Sequence, residues 1–372
     1  MSPHGDAAER LRLTVVLPTY NERDNVAPIV AELLPLQQQL DLEILFVDDD
    51  SADGTAEAVR VLAHRHPMIR LIRRIGRAGL SSAIKEGILD ATGDVVAVMD
   101  CDGQHPPAAV LMAVDRLLRS GADLVVGSRF HSEATIAGLS DRRQRNSNLA
   151  NAVARFSLPR YRHLTDYMSG FFVLRPDAVL ADTRRVDVNG FKFLYELLAI
   201  SRGRLRVEEV PLTFQPRIAG DSKLDLAIVW DLGISMLHTL LLRIVPRRAI
   251  SFALVGASGV AVQLLVSQLL RSLALVDFAG SIFPAALVAA TSNYLINNAL
   301  TFRFQRQRGM ALVKGLLRFL LVASLPVLAN VGVASTFYSR VASDAFWAQL
   351  AGIVVVFVWN YAASSRLVWN SP

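Results

Sequence analysis

Residues 95–120 read VVAVMDCDGQHPPAAVLMAVDRLLRS: an apolar run, a turn carrying two carboxylates, then apolar positions at helical spacing from Pro107 to Arg119. Val95–Met99 has the length and β-branched content of a buried strand. The stretch is therefore one strand, turn and helix. It delivers Asp100 and Asp102 together to a strand tip, where their charges repel.

The same alternation runs outward from this unit. Strands are expected at Leu13–Leu17, Glu43–Val47, Ile69–Arg73 and Leu124–Gly127, and helices at Val26–Gln39, Thr55–His66 and Leu80–Ala91. Strands alternating with helices imply an α/β fold whose mainly parallel sheet is covered on both faces, and such sheets bind ligands beyond the carboxyl ends of their strands. Polar residues gather at those ends: Pro18-Thr19-Tyr20-Asn21-Glu22, Asp48-Asp49-Asp50-Ser51 and Asp100-Cys101-Asp102-Gly103-Gln104. A single cluster of this kind serves as a helix cap. Three carboxylate-rich clusters at one edge point to a ligand.

No GxGxxG follows the first strand and no GxxxxGK[ST] occurs, so the usual backbone cradles for phosphate are missing. A carboxylate-rich edge repels phosphate unless a cation lies between them. Mg²⁺ or Mn²⁺ suits this role, being held by one or two carboxylates and by the substrate's own phosphates. Asp100, Asp102 and the Gln104 amide oxygen are the candidate ligands.

The 372 residues leave room for more than one domain, and the composition changes near residue 225. Beyond it lie four uncharged stretches long enough to cross a bilayer: Ala249–Leu270, Phe278–Leu300, Phe319–Tyr338 and Ala345–Ser365. The net charge of +6 raises the question of nucleic acid, but the basic residues flank the apolar stretches. Arg243, Arg247 and Arg248 precede the first, and Arg303, Arg306, Arg308, Lys314 and Arg318 lie between the second and third. That pattern indicates lipid headgroups as the partner, not nucleic acid, and puts the middle loop and both chain ends on the cytoplasmic side. Residues 224–245 are also apolar, yet they contain Asp231 and His238, and a mid-bilayer aspartate costs about 2.5–3.5 kcal/mol. They read as amphipathic helices lying in the membrane interface. The first residues lack the pattern of a secretory signal, and Cys101, the only cysteine, leaves no internal disulfide. The expected organisation is a disordered tail over 1–11, an α/β domain over 12–223, interfacial helices over 224–246 and a four-span domain over 247–372.

Eight blocks now stand in order: VVLPTYNERDNV, LFVDDDSADGT, RAGLSSAIKEG, VMDCDGQHPP, VVGSRF, SGFFVLRP, FKFLYELL and VPLTFQPRIAGDSKL. Together they resemble the dolichol-phosphate mannose synthases, family 2 glycosyltransferases with the GT-A fold, over roughly residues 13–225. Residues 249–369 resemble the GtrA-like transmembrane domain that some prokaryotic members carry. The resemblance implies transfer of one hexosyl unit from a nucleotide-sugar to a polyprenyl phosphate, with inversion at the anomeric carbon. By position it assigns the nucleoside to Pro18, Tyr20, Glu22, Val47 and Asp49, and the metal to Asp100, Asp102 and Gln104, with Cys101 lining the site through its backbone. Arg129 would face the phosphates, and Arg217 and Lys223 would close over the donor. Asp50 stands where the family usually has glycine, which favours a turn that tolerates left-handed backbone.

A lipid phosphate needs no general base, because its second proton leaves near pH 6. The protein must position that anion and stabilise the departing nucleotide, and Asp102, Arg129, Arg217 and Lys223 are the candidates for this. Ala137–Asn151 is the expected acceptor loop, with Arg142, Arg143, Arg145 and Ser147 available to the lipid phosphate. GDP-mannose is the expected donor. The rival readings are transfer from UDP-glucose to undecaprenyl phosphate and, from another class, a lipid-linked sugar translocator with an inactive transferase domain. A processive synthase is disfavoured, since residues 130–250 contain no Q-x-x-R-W. The pattern leaves the oligomeric state open.

Overall fold

Alternation along β1 (Arg12–Thr19) sends Leu13, Val15 and Leu17 into one core cluster and Val16 into another, so both faces of the sheet are covered. The computed structural model describes residues 10–132, 134, 141–187, 192–213, 226–273, 278–324 and 345–370. The chain divides into two compact units, one ending at Thr239 and the other beginning at Leu240.

In the first unit β1 is joined by β2 (Asp41–Asp48), β3 (Ile69–Arg73), β4 (Val95–Val98), β5 (Leu124–Ser128), β6 (Phe172–Leu174) and β7 (Val207–Pro211), in the order β3-β2-β1-β4-β6-β5-β7. The five strands expected from the sequence are all present. The other two, β6 and β7, escaped it: β6 has only three residues and runs antiparallel between β4 and β5. All remaining pairings are parallel.

On one face lie α1 (Arg23–Leu33), α2 (Thr55–Ala63) and α4 (Pro107–Ser120). The other face carries α3 (Leu80–Asp90), α5 (Asp141–Ser157), α6 (Pro176–Arg185) and α7 (Phe193–Ser201). The helix expected to reach Gln39 ends at Leu33, because Pro35 cannot donate to the α-helical ladder and Leu34–Gln38 tighten into a 3₁₀ turn. α3 approaches the sheet closely at Gly87, where a Cβ would fall 2.4 Å from Val16 Cγ1. The last helix, α8 (Leu226–Leu240), inserts Met236 into the second cluster.

β1 pairs with β2 on one side and β4 on the other, so successive crossovers leave it in opposite directions. A crevice opens at such a switch point beyond the carboxyl ends of the strands. The tips of β1 and β4, with their polar turns, form its two walls.

The second unit contains α9 (Arg247–Ser272), α10 (Phe278–Ile296), α11 (residues 310–324) and α12 (Ala345–Ala363). Three of the expected spans fall on α9, α10 and α12, while residues 325–338 of the remaining one lie outside the described residues. Among the described helices, α9 is long and apolar enough to cross a membrane, with 26 residues that include an 18-residue stretch of mean hydropathy 2.0. Many large apolar side chains of this unit point outward, Leu265 at 71% and Phe283 at 77% exposure. That is the reverse of a water-soluble bundle.

This unit also has an internal repeat that the sequence analysis missed. α10 and α12 each have 19 residues and continue into five-residue π-helices, Asn297–Thr301 and Ser364–Val368. One constant offset relates Phe252 to Phe319, Asn293-Tyr294 to Asn360-Tyr361, and Phe302 to Trp369. The contacts obey the same relation. Phe252 meets Tyr361 and Tyr294 meets Phe319, both at 5.7 Å between ring centroids, and the equivalent rings of Phe302 and Trp369 stack on each other at 4.2 Å. Equivalent residues touching each other is the mark of a two-fold axis, here relating α9 and α10 to the described parts of α11 and α12.

Candidate active site

The first wall of the crevice is built by backbone turns locked onto the neighbouring strand end. Pro18 pairs with Val47 in the sheet register. After Thr19 the chain turns at Asn21, whose φ of 56° is left-handed and whose N–H donates to Ser51 Oγ at 2.8 Å. Glu22 N–H donates to Thr55 Oγ1 at 3.0 Å, and the Glu22 carboxylate accepts from Asn25 at 2.6 Å. Tyr20 remains half exposed beside them.

At the tip of β2 the three aspartates divide their work. Asp48 is fully buried and accepts from the N–H and hydroxyl of Ser51, so it shapes the turn. Asp50 has a φ of 52° and pairs with Arg73 at 2.7 Å. It holds the left-handed conformation that the sequence suggested for this glycine-like position. Asp49 accepts from Gly79 N–H at 2.6 Å and from buried Arg74, which also reaches Glu86 and Ser82. Burial raises the Asp49 pKa, against the lowering effect of Gly79 and Arg74.

β4 ends in the second wall. Gly103 takes a φ of 77°, and Gln104 N–H returns to Asp102 Oδ1 at 3.1 Å, folding the two carboxylates and the amide around one short turn. His105 is buried beneath it, and its Nδ1 accepts the backbone N–H of Asp100 at 3.1 Å. Burial pushes the His105 pKa down to about 4, so the ring is a neutral acceptor at pH 7. Cys101 is buried, and its thiol pKa is raised well above the usual value by that burial and then by Glu22, Asp102 and Asp100. It is an inert packing group between the turns of the adjacent strands β1 and β4.

From β5 comes Arg129, whose guanidinium grips fully buried Asp166 through Nε at 2.7 Å and Nη2 at 3.1 Å. Burial works against the charge on Arg129, but Asp166 outweighs it, and the pKa stays above its ordinary value. The following segment runs under the crevice. A Cβ on Gly170 would lie 2.8 Å from Asp100 Oδ2, so the bare backbone there leaves room for the Asp100 carboxylate. Lys192 Nζ reaches Met168 O at 3.4 Å on the same segment.

Pro18, Tyr20, Glu22, Val47, Asp49, Asp100, Cys101, Asp102, Gln104 and Arg129 thus share one sheet edge. Arg217 and Lys223 lie outside the described residues, as do the side chains of Arg142, Arg143 and Arg145 on α5. Ser147, on the same helix, is partly exposed. The carboxylates of Asp100 and Asp102 with the Gln104 amide make an all-oxygen donor set around one turn, which fits a hard divalent cation that takes its other ligands from substrate.

Residues 14–180 match the family described as Glycosyl transferase family 2, and residues 251–369 match the GtrA/DPMS transmembrane domain. The dolichol-phosphate mannosyltransferase of Pyrococcus furiosus is 32% identical over 361 residues, spanning 96% of this chain and 99% of its own. The chain belongs to the dolichol-phosphate mannosyltransferases of glycosyl transferase family 2. It is a glycosyltransferase. Two further relatives match part of the chain: the dolichol-phosphate mannosyltransferase of Saccharomyces cerevisiae, 33% identical over 58% of this chain and 82% of its own, and the polyprenol monophosphomannose synthase of Mycolicibacterium smegmatis, 36% identical over 58% and 81%. Among solved structures, the glucosyl-3-phosphoglycerate synthase of Mycobacterium tuberculosis superposes with a TM-score of 0.49 at 20% identity, covering 62% of this chain and 80% of that one.

In this glycosyltransferase four residues at the crevice escaped the sequence analysis: Arg74, His105 as a partner of Asp100, Asp166 and Lys192. Arg74 and Asp166 are charged residues only 2% and 0% exposed, and charges are buried this deeply only when paired. No periodicity marks such a residue, because its partner lies across the fold. Lys192 did carry a signal, a lysine placed directly before an apolar helix start in FKFLYELL.

Proposed function

We propose that this enzyme transfers a hexosyl unit, mannose from GDP-mannose, to a polyprenyl or dolichyl phosphate, with inversion and with a divalent cation, at the cytoplasmic face of a membrane. The observation that carries the reading is that one short segment ties the cation Arg129 to the carboxylate turn Asp100–Gln104: Asp166 grips Arg129, and Gly170, four residues on, backs onto the Asp100 carboxylate. Such an edge suits two phosphate-bearing substrates at once: one bridged to carboxylates by metal, the other met by guanidinium.

Asp100, Asp102 and Gln104 would hold Mg²⁺ or Mn²⁺, which when bound supplies positive charge to the donor's diphosphate. Pro18, Tyr20, Glu22, Val47 and Asp49 form the wall that takes the nucleoside, with Asp49 oriented by Arg74 and Gly79. Arg129 orients a phosphate oxygen toward the anomeric carbon, and Asp166 fixes the plane of its guanidinium. The acceptor oxygen attacks as an anion, so no carboxylate base is required. Arg217 and Lys223 are assigned to the leaving diphosphate, and Arg142, Arg143, Arg145 and Ser147 to the lipid phosphate, by resemblance. The second unit spans the membrane with the basic loops and both ends cytoplasmic. The contacts of Phe252 with Tyr361 and of Phe302 with Trp369 support this, because they put the start of α9 and the ends of α10 and α12 on one side.

The test is transfer of labelled sugar to a polyprenyl phosphate in detergent, across GDP-mannose, UDP-glucose and other nucleotide-sugars, with and without Mn²⁺. Transfer from GDP-mannose that collapses in Asp102→Ala supports the reading. Preference for UDP-glucose would move the protein to the rival donor, and no transfer from any donor by the folded, lipid-supplied enzyme would favour a non-enzymatic role.

A further inference from the structure

We infer that Lys192, together with Arg129, forms a two-cation seat for a phosphate group of the substrates, with Lys192 a further binding residue of the transfer reaction. The inference rests on the transfer reading above. Lys192 caps the N-terminus of α7, where the helix dipole presents partial positive charge and a lysine is disfavoured. Among the described residues its ammonium has one hydrogen-bond acceptor, Met168 O at 3.4 Å, and no carboxylate within ion-pair distance. An ammonium carries three donors, so this contact leaves most of its capacity available.

Its position is set by the segment under the crevice. Asp166 at the start of that segment grips Arg129, Met168 in the middle meets Lys192, and Gly170 at the end backs onto Asp100. Five residues therefore connect both cations to the first carboxylate of the metal turn. Burial and then the nearby Arg129 lower the Lys192 pKa, and Asp100 and Asp166 work in the other direction. Asp166 is committed to both edges of the Arg129 guanidinium, so among the described residues the Lys192 ammonium is left with the Met168 carbonyl as its hydrogen-bond acceptor. An anion seated here would accept the ammonium's remaining donors. A phosphate oxygen is that anion, and it comes either from the acceptor's phosphomonoester or from the donor's diphosphate.

The test uses the full chain in detergent with Mn²⁺, and compares wild type with Lys192→Gln and Lys192→Arg. Wild-type transfer is measured first, and its absence would sink the transfer reading itself. With wild type active, Lys192→Gln is expected to lower kcat/KM by on the order of ten- to a hundredfold, the size of a lost hydrogen bond to a charged group, while Lys192→Arg keeps most of it. Binding of GDP with Mn²⁺, measured by calorimetry without acceptor, separates the sources. Unchanged GDP binding with a raised KM for polyprenyl phosphate assigns the seat to the acceptor, and weakened GDP binding assigns it to the donor. The inference is overturned if Lys192→Gln stays within about twofold of wild type for both substrates. It is equally overturned if both variants lose activity together with a fall in Tm, since that is a packing role.

Discussion

His105 Nδ1 accepts the backbone N–H of Asp100 at 3.1 Å, so the first residue of the carboxylate turn proposed to hold the cation is fixed from beneath by a neutral imidazole. The bond lies inside the protein, where an N–H deprived of its acceptor costs about 1–3 kcal/mol. His105→Phe keeps the ring volume and removes the acceptor. It should raise the Mn²⁺ concentration needed for half-maximal transfer by about tenfold, and His105→Gln, which can still accept, should recover part of the loss. A metal titration unchanged in His105→Phe would show that the turn holds itself.

Gly170→Ala probes the same carboxylate from the other side. The added methyl would stand 2.8 Å from Asp100 Oδ2, a terminal side-chain atom that must shift to make room. The fold should survive at a cost of about 1–3 kcal/mol, the usual size of overpacking by one methyl. Transfer should fall by at least about tenfold, because the shifted carboxylate no longer meets the cation as one of its few protein ligands. Urea unfolding and activity measured on one preparation separate the two effects. Loss of both together would mean that the backbone, not Asp100, had moved.

Much of the catalytic unit was legible in the sequence because its signals are local. Five strands, four helices and the polar turns at Glu22, Asp49 and Asp102 follow from periodicity and from residues that cluster at strand ends. What escaped depends on partners distant along the chain. β6 has three residues, too few for a period, and exists because β4 and β5 flank it. Asp166 and Arg74 read as surface charges until the fold supplies Arg129 and Asp49. In the membrane unit the uniform apolarity that marks the helices also hid their repeat, which survives only in aromatic and amide positions such as Tyr294 and Tyr361.

Glu43 sits near the start of β2, away from the crevice, and its carboxylate accepts from Thr14 Oγ1 at 2.5 Å, Thr92 N–H at 3.0 Å and Arg70 at 2.5 Å. Burial acts to raise its pKa, but the bonds from Thr14, Arg70 and Thr92 outweigh it, and the net value lies below the ordinary 4.5. A lowered folded-state pKa means that the unfolded chain takes up the proton first. The stabilisation is complete above the unfolded value and is lost as pH falls through the folded one. Glu43→Gln should lower stability at pH 7 by about 1–3 kcal/mol and flatten the loss seen between neutral and acid pH, leaving transfer at pH 7 intact. Parallel acid slopes for wild type and variant would exclude Glu43 as their source.

Phe302 and Trp369 test the repeat, because they are equivalent residues that stack on each other at 4.2 Å and 8° between ring planes. If the two halves of the repeat are related as the contacts indicate, the pair behaves as one unit, and exchanging its members conserves the volume at the axis. Trp369→Phe alone leaves a void and removes the indole bond to Asn298 Oδ1, which is 3.2 Å long. Phe302→Trp alone adds volume beside an unchanged Trp369. The double exchange should therefore be less damaging than the sum of the two, by about 0.5–1.5 kcal/mol of coupling. It should not return fully to wild type, because Ser365 stands where Asn298 stands in the other half, and its shorter side chain offers the transplanted indole a poorer acceptor. The cycle is read from thermal unfolding in detergent of wild type, the two single variants and the double. Strict additivity would mean that the rings stack without acting as a pair, and the two-fold relation would then be one of sequence alone.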